Sequence, residues 1–209
     1  TKPFLRRFKQ PAILDIGCAT GDFLYFISGL YPKASLTGVD VMPELLAVGR
    51  KAVPQARFLK GDIYTGRDLP KRKFDAVFMI GVNHIFDNCG PWIDNLLKLA
   101  SPHGHVYVFG MFNPEDVDMV TRTRYAKDDA LWQSGWNVIS QKTVTRHLKK
   151  RGAGAKFYEF RIGKDIERHL NDPLRAWTFK LADGRRAVMN GTRIMQPLYL
   201  LEIKPAKKS

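Results

Sequence analysis

The sequence predicts an α/β fold built on a mostly parallel, doubly wound sheet. Three observations lead there. Short apolar runs alternate with helical patterns at a steady pitch from residue 12 to residue 110. One run, residues 76–80, is apolar throughout, as a central parallel strand buried on both faces is. The first run, Ile13-Leu14-Asp15-Ile16, breaks into the small-residue turn Gly17-Cys18-Ala19-Thr20-Gly21 just before a helix start. A junction of that kind lets the backbone approach a ligand closely.

Residues 12–16 form the first strand, bounded by Pro11 and the turn. Residues 23–30 carry helical apolar spacing and end near Gly29, with Pro32 beyond. The second strand is 35–39. Residues 43–53 form a helix with Pro43 at its start and Pro54 after it. A short third strand at 57–59 leads into Gly61-Asp62, and 76–80 is the fourth. The next helix covers 91–99 and the fifth strand 105–110. Periodicity then lapses: residues 111–138 hold Pro114, several acids, Arg122, Arg124, Trp132 and Trp136, and read as an inserted helical cap or lid. Ser140 opens a helix that runs to about residue 150. Residues 156–162 alternate aromatics as a strand does. Two runs, 176–181 and 185–189, flank Asp183-Gly184 as an added hairpin with a tight turn. The last strand is 198–203.

Composition sets outer bounds. At 209 residues, 44% hydrophobic and 26% charged, the chain suits one globular domain with a proper core. No apolar run approaches the roughly 20 residues that cross a bilayer, and the start lacks a signal-peptide pattern. Cys18 and Cys89 make neither a disulfide framework nor a metal spacing, and His147 and His169 have no metal partner at workable spacing, so no metal and a cytoplasmic location are expected. The net charge of +14 suits nucleic acid, an acidic ligand or simply a solvated basic surface. The basic residues are scattered (Arg6-Arg7, Lys71-Arg72-Lys73, Lys149-Lys150-Arg151, Arg185-Arg186), without interleaved stacking aromatics or a recognisable RNA-binding motif. The tail 204–209 reads as frayed and solvated.

The second strand leads into Asp40 in the context Thr37-Gly38-Val39-Asp40, so a carboxylate stands beside the first turn. Two details choose the ligand. Where a dinucleotide fingerprint has its third glycine this chain has Asp22, and Asp15 sits inside the first strand, where no acid is required for a pyrophosphate. A phosphate loop of the GxxxxGK[ST] type is absent. An acid at Asp15 suits a cationic ligand, such as the amino group of a methionine moiety. The cofactor so inferred is S-adenosylmethionine, with S-adenosylhomocysteine as product.

The order Asp15-x-Gly17-x-Ala19-x-Gly21, then Gly38-Val39-Asp40, then Gly61-Asp62-Ile63, then Phe74-Asp75-Ala76-Val77-Phe78 resembles a class I S-adenosylmethionine-dependent methyltransferase over about residues 12–110. Ala19 departs from the glycine many members carry there. The resemblance implies a Rossmann-like seven-stranded sheet with an antiparallel last strand and helices on both faces. It implies a single domain, 1–209: a cofactor-binding core at 12–110, a cap at 111–138 and the C-terminal part of the sheet at 139–204. Relatives often begin with helices over the cofactor, whereas here only about ten residues precede the first strand and no initiator Met is present. The expectation is that the chain is truncated and that part of its lid is missing.

The candidate cofactor-binding residues follow the motifs. Gly17, Cys18, Ala19 and Gly21 would fold under the methionine part, Cys18 serving only as a small turn residue, and Asp15 would attract the amino group or hold a neighbouring backbone amide. Asp40 would accept the ribose hydroxyls or cap the helix at Pro43. Val41 and Met42 would pack on adenine or merely fill space. The resemblance places Asp62 against the adenine amino group and the backbone of Ile63 against the ring, although Gly-Asp is also a common turn pair. Ile80 and Gly81 end the fourth strand, where the reactive methyl should point. His84 is the candidate catalytic base, since an imidazole of ordinary pKa takes protons near neutrality, or else a packing residue. Asn83, Asp87 and Asn88 are weaker candidates. In the cap, Tyr125, Trp132 and Trp136, with Arg122 and Arg124, would line an acceptor pocket or form the cap's own small core.

The activity expected is methyl transfer to an oxygen, nitrogen or carbon of a small molecule. RNA methylation is the alternative the charge suggests, but the chain has Ile80-Gly81-Val82-Asn83 where base-methylating enzymes carry Asn-Pro-Pro-aromatic. A non-catalytic S-adenosylmethionine-binding module, or a dehydrogenase, is the third possibility. No membrane partner is expected, and the sequence leaves the oligomeric state open.

Overall fold

A computed structural model describes residues 2–206. The expectation for the tail therefore falls partly on residues outside the described ones. The main sheet has the order β3-β2-β1-β4-β5-β12-β9. Its parallel strands are β1 (Ala12–Ile16), β2 (Ser35–Asp40), β3 (Arg57–Lys60), β4 (Phe74–Ile80) and β5 (Ala100–Asn113). β12 (Leu198–Lys204) inserts antiparallel between β5 and β9 (Gly154–Glu159), as the resemblance implies. A further two-residue strand, β8 (Ile139–Ser140), pairs with the far end of β5.

Strand register sets the site. Ile16 lies opposite Val39 on one side and Met79 on the other, and Asp40 lies opposite Lys60. β1 to β4 thus end nearly level while β5 runs four residues further, and the loops that leave β1 to β4 sit side by side along one edge. Ligands bind along such carboxyl edges in open α/β sheets.

Two apolar layers hold the sheet. On one face α4 (Cys89–Leu99) and α5 (Gln141–Lys150) bury Trp92, Ile93, Leu96, Val144 and Leu148 against Leu14, Val77 and Val106. On the other, α2 (Asp22–Leu30) and α3 (Pro43–Ala52) bury Leu24, Ile27 and Leu46 against Ile13, Leu36 and Phe78, with Phe4 and Leu5 of the short α1 (Lys2–Leu5) beside them. Full burial of each large apolar side chain contributes roughly 1.5–3 kcal/mol, so these layers dominate the stability of the domain.

Several boundaries differ from the sequence reading for local reasons. α4 starts at Cys89 because Asn88 caps it, its side chain accepting from Gly90 N at 2.8 Å. Ser140 caps α5 as expected, accepting from Thr143 N at 3.1 Å. The Asp183-Gly184 pair lies in a loop closed by Leu181 N on Arg185 O, between β10 (Trp177–Lys180) and β11 (Arg186–Met189).

The larger correction concerns the insertion. Residues 114–138 contain no helix; they form a two-residue ribbon, β6 (Arg122–Thr123) against β7 (Gln133–Ser134), and a bridge between Met119 and Val138. Side chains take the backbone groups a helix would need. Asn113 donates to Val117 O and accepts from Glu115 N, Asp118 accepts from Ser140 N, and Asn137 accepts from Thr121 N at 2.7 Å. Short polar side chains that bond the backbone in this way compete with helix formation. No helix among the described residues is long and apolar enough to cross a membrane.

Candidate active site

The turn after β1 folds over the end of β2. Gly17 N and Cys18 N both donate to Val39 O, at 2.8 and 3.1 Å. Gly17 has φ +71, and a Cβ there would sit 2.4 Å from Val82 Cγ2. Both facts require glycine. Gly21 is left-handed at the N-cap of α2.

Asp40 knits this turn to the loop after β2. Its Oδ2 accepts from Ala19 N at 2.9 Å and its Oδ1 from Met42 N at 3.0 Å. It does not cap α3, whose N-cap is Met42 without a side-chain hydrogen bond. Two of roughly four lone-pair sites are used, and the rest stay free for a hydroxylated ligand.

Asp15 is 3% exposed, and among the described residues its carboxyl has no hydrogen-bond partner. Burial, then the charge of Asp40, pushes its pKa up to about 8. An unpartnered buried acid beside a second carboxylate is a place for a cationic group. Cys18 packs inward, its Sγ 2.7 Å from where a Cβ on Gly38 would lie. Burial, then Asp15 and Asp40, pushes its thiol up to about 12, so it is a packing residue whose backbone alone serves the turn.

Around the acid pair the edge is apolar and open. Val41 is 53% exposed, Met42 44% and Ile80 36%. Gly81 N, just past the end of β4, donates to Phe109 O at 2.8 Å, four residues before β5 ends. Ile63 is buried in the core, and its carbonyl accepts from Asn95 Nδ2 at 2.8 Å. Asp62 is tied into its own turn: Oδ1 accepts from Tyr64 N at 2.8 Å and Oδ2 from the Thr65 hydroxyl at 2.8 Å. Burial works against its charge, but the bonds from Thr65 and Tyr64 hold its carboxyl below the usual range.

His84 lies in a short 3₁₀ turn, Asn83–Ile85. Its ring stacks on Trp136, centroids 5.0 Å apart, and burial lowers its pKa, which favours the neutral imidazole. Asn83 is buried, donating from Nδ2 to Met111 O at 2.9 Å; its Oδ1 has no partner and occupies the space a side chain on Gly110 would fill.

Sequence reasoning named Asp87 only as a weaker candidate beside His84 and missed its role as a hydrogen-bond hub. Asp87 accepts from Arg122 through both oxygens, from Ser134 Oγ at 2.7 Å and from Asn137 Nδ2 at 3.0 Å. That hub latches the insertion to the loop after β4. The insertion's aromatics then divide. Trp136 faces His84, whereas Tyr125 and Trp132 line a cleft of about 900 Å³ between the ribbon and residues 173–194. The basic residues also regroup: Lys142, Arg146, Lys149 and Lys150 share one groove with Phe157, which their spacing in the sequence does not reveal until α5 is formed.

Ala19 carries φ +44, a left-handed conformation that costs an ordinary residue roughly 1–2 kcal/mol. Ala19→Gly should therefore raise stability by about 0.5–1 kcal/mol after the added freedom of the unfolded chain is deducted. Urea melts check this, and a loss of stability would show that the alanine methyl packs usefully.

A family model for a methyltransferase domain matches residues 13–104. Trans-aconitate 2-methyltransferase of Escherichia fergusonii is 28% identical over 92 residues, 44% of this chain and 36% of that protein. Demethylmenaquinone methyltransferase of Chlorobaculum tepidum is 30% identical over 112 residues, 53% of this chain and 45% of that one. The chain thus spans less than half the length of these curated relatives. A solved structure, the DhpI–SAH complex, superposes with a TM-score of 0.62 at 16% identity, covering 99% of this chain and 84% of that one, a likeness of fold. Residues 13–104 thus match a methyltransferase domain, and the sheet order and carboxyl edge around them are similar to those of class I S-adenosylmethionine-dependent methyltransferases.

Proposed function

We propose that this chain transfers the methyl group of S-adenosylmethionine to an oxygen, nitrogen or carbon of a small molecule. The observation that carries the reading is the pair Asp15 and Asp40 under the Gly17–Gly21 turn, one acid without a partner and one with free lone pairs. In this arrangement the turn backbone of Gly17, Cys18, Ala19 and Gly21 holds the methionine moiety and Asp15 its ammonium. Asp40 accepts the ribose hydroxyls. Val41 and Met42 cover adenine, with Asp62 and the backbone of Ile63 at its edge, and Ile80 and Gly81 flank the methyl.

Bound there, S-adenosylmethionine supplies a methyl on a cationic sulfur: the acceptor's lone pair forms the new bond to carbon as the carbon–sulfur bond breaks, leaving a neutral thioether. The acceptor's proton passes to water or to His84. The depressed basicity of His84 and its stacking on Trp136 favour a positioning role, since in-line alignment supplies much of the rate in such a displacement. Residues 111–138 cover the acceptor side. Two free, buried cysteines fit the cytoplasmic location we propose.

Asp15 supplies the test. Its folded pKa is raised above the unfolded value of 3.8, so its contribution to stability is full below about pH 4 and is lost as pH rises through about 8. At pH 7 the free protein holds this proton, and pairing with the ligand's ammonium expels it. Calorimetry of S-adenosylhomocysteine in phosphate and in Tris should show release of close to one proton, and Asp15→Asn should show none from this site. Equal release in the variant would contradict the role given to Asp15.

One observation favours a second reading, methylation of RNA: the groove of about 660 Å³ that gathers four cations of α5 beside Phe157. RNA association that survives physiological salt would promote it, whereas association that collapses as salt rises is simple counterion release.

A further inference from the structure

We propose that the cleft between the β6–β7 ribbon and residues 173–194 receives an acceptor with an acidic head, a carboxylate or phosphate, on an apolar body. The proposal rests on the methyltransferase reading and names the class of substrate. The cleft is lined by Arg122, Arg124 and Lys127, and no acidic side chain lines it. The three cations are not equivalent. Arg122 is committed to Asp87. Arg124 lies 4.8 Å over the Trp132 ring and Lys127 5.7 Å from the Tyr125 ring, and neither has a carboxylate partner among the described residues. Cations resting on aromatic faces give up little when an anion arrives, because the ring contact is worth only about 0.5–1 kcal/mol at exposed sites. An anion that meets both gains charge-assisted hydrogen bonds, which are roughly twice as strong as neutral ones.

The remaining wall sets Leu131, Leu174 and Ile194 beside the two rings, with uncharged polar residues such as Thr123, Gln133 and Thr192 between them. A volume of about 900 Å³ suits a body larger than a bare small anion. Hydrogen bonds tie the cleft's wall to the loop after β4. Arg122 of its wall bonds Asp87, three residues beyond His84, and Asn137 N donates to His84 O at 2.9 Å. An acceptor anchored by its acidic end can thus extend toward the loop after β4, where the methyl is expected.

The experiment uses 1-naphthoate, 1-naphthyl phosphate and the uncharged 1-naphthalenemethanol, titrated into the full chain with S-adenosylhomocysteine present and followed by tryptophan fluorescence. At least one anion should saturate with about tenfold or greater preference over the alcohol, and which anion binds separates carboxylate from phosphate. The double variant Arg124→Gln with Lys127→Gln should remove that preference while leaving affinity for the alcohol and for S-adenosylhomocysteine unchanged. Equal binding of the alcohol, no saturation by either anion, or a preference that survives both substitutions would overturn the proposal. Failure of S-adenosylhomocysteine to bind the unaltered chain would instead refute the cofactor reading, and it is measured separately.

Discussion

Asp40→Ala should weaken S-adenosylhomocysteine binding by about 10- to 150-fold, the equivalent of about 1.5–3 kcal/mol for hydrogen bonds to a charged group. The carboxylate is placed for this by register, since Asp40 is the last residue of β2, one past the final β1–β2 pair Ile16–Val39. The same oxygens hold Ala19 N and Met42 N, so their loss also frees the turn that would support the methionine moiety. A lower melting temperature should accompany the loss of affinity, because two backbone amides lose their acceptor. Calorimetry on the folded variant checks it. Unchanged affinity would remove Asp40 from the cofactor site and leave it as a purely structural clasp.

Gly17→Ala should cost about 2–5 kcal/mol of stability, the sum of a left-handed backbone and an overpacked contact. The added methyl would arrive 2.4 Å from Val82 Cγ2. Val82 packs against the main core and cannot swing freely away. Cofactor affinity should fall with it, because the turn must shift to make room. The pair Gly17→Ala with Val82→Ala separates the causes: removing the overlap should recover part of the stability, and the remainder is the cost of φ +71. A single variant within about 0.5 kcal/mol of the parent, the range of an inconsequential surface change, would refute this account of the turn.

Much of the geometry at the carboxyl edge of β1 and β2 was legible because it is local. The acid, turn and helix start at 15–22 lie within eight residues, and the Gly-Val-Asp that ends β2 is read from its own strand. Punctuation by Pro43 and Pro54 located α3 to within a residue. The insertion's arrangement was not legible, because its contacts join distant positions. Asp87 meets Arg122 across 35 residues and Asn137 across 50, and no spacing announces such pairs. The insertion was read as helical, but Asn113, Asp118 and Asn137 spend their side chains on backbone groups and hold the chain in turns and a ribbon. Motif position also hid competing local chemistry. Asp62 stands where the family pattern puts an adenine contact, yet it already accepts from Tyr64 and Thr65. The grouping of Lys142, Arg146, Lys149 and Lys150 needed helical geometry to appear.

The central claim is that the carboxyl edge of β1, β2 and β4, with Asp15 and Asp40, is built for a nucleoside bearing an amino acid rather than for a dinucleotide. Calorimetric titration of the unaltered chain with S-adenosylhomocysteine and, separately, with NAD tests it most directly. The account predicts saturable one-site binding of S-adenosylhomocysteine and none of NAD, whose pyrophosphate brings no cation to the buried Asp15. Saturable NAD binding, or no S-adenosylhomocysteine binding by the folded chain, would contradict it.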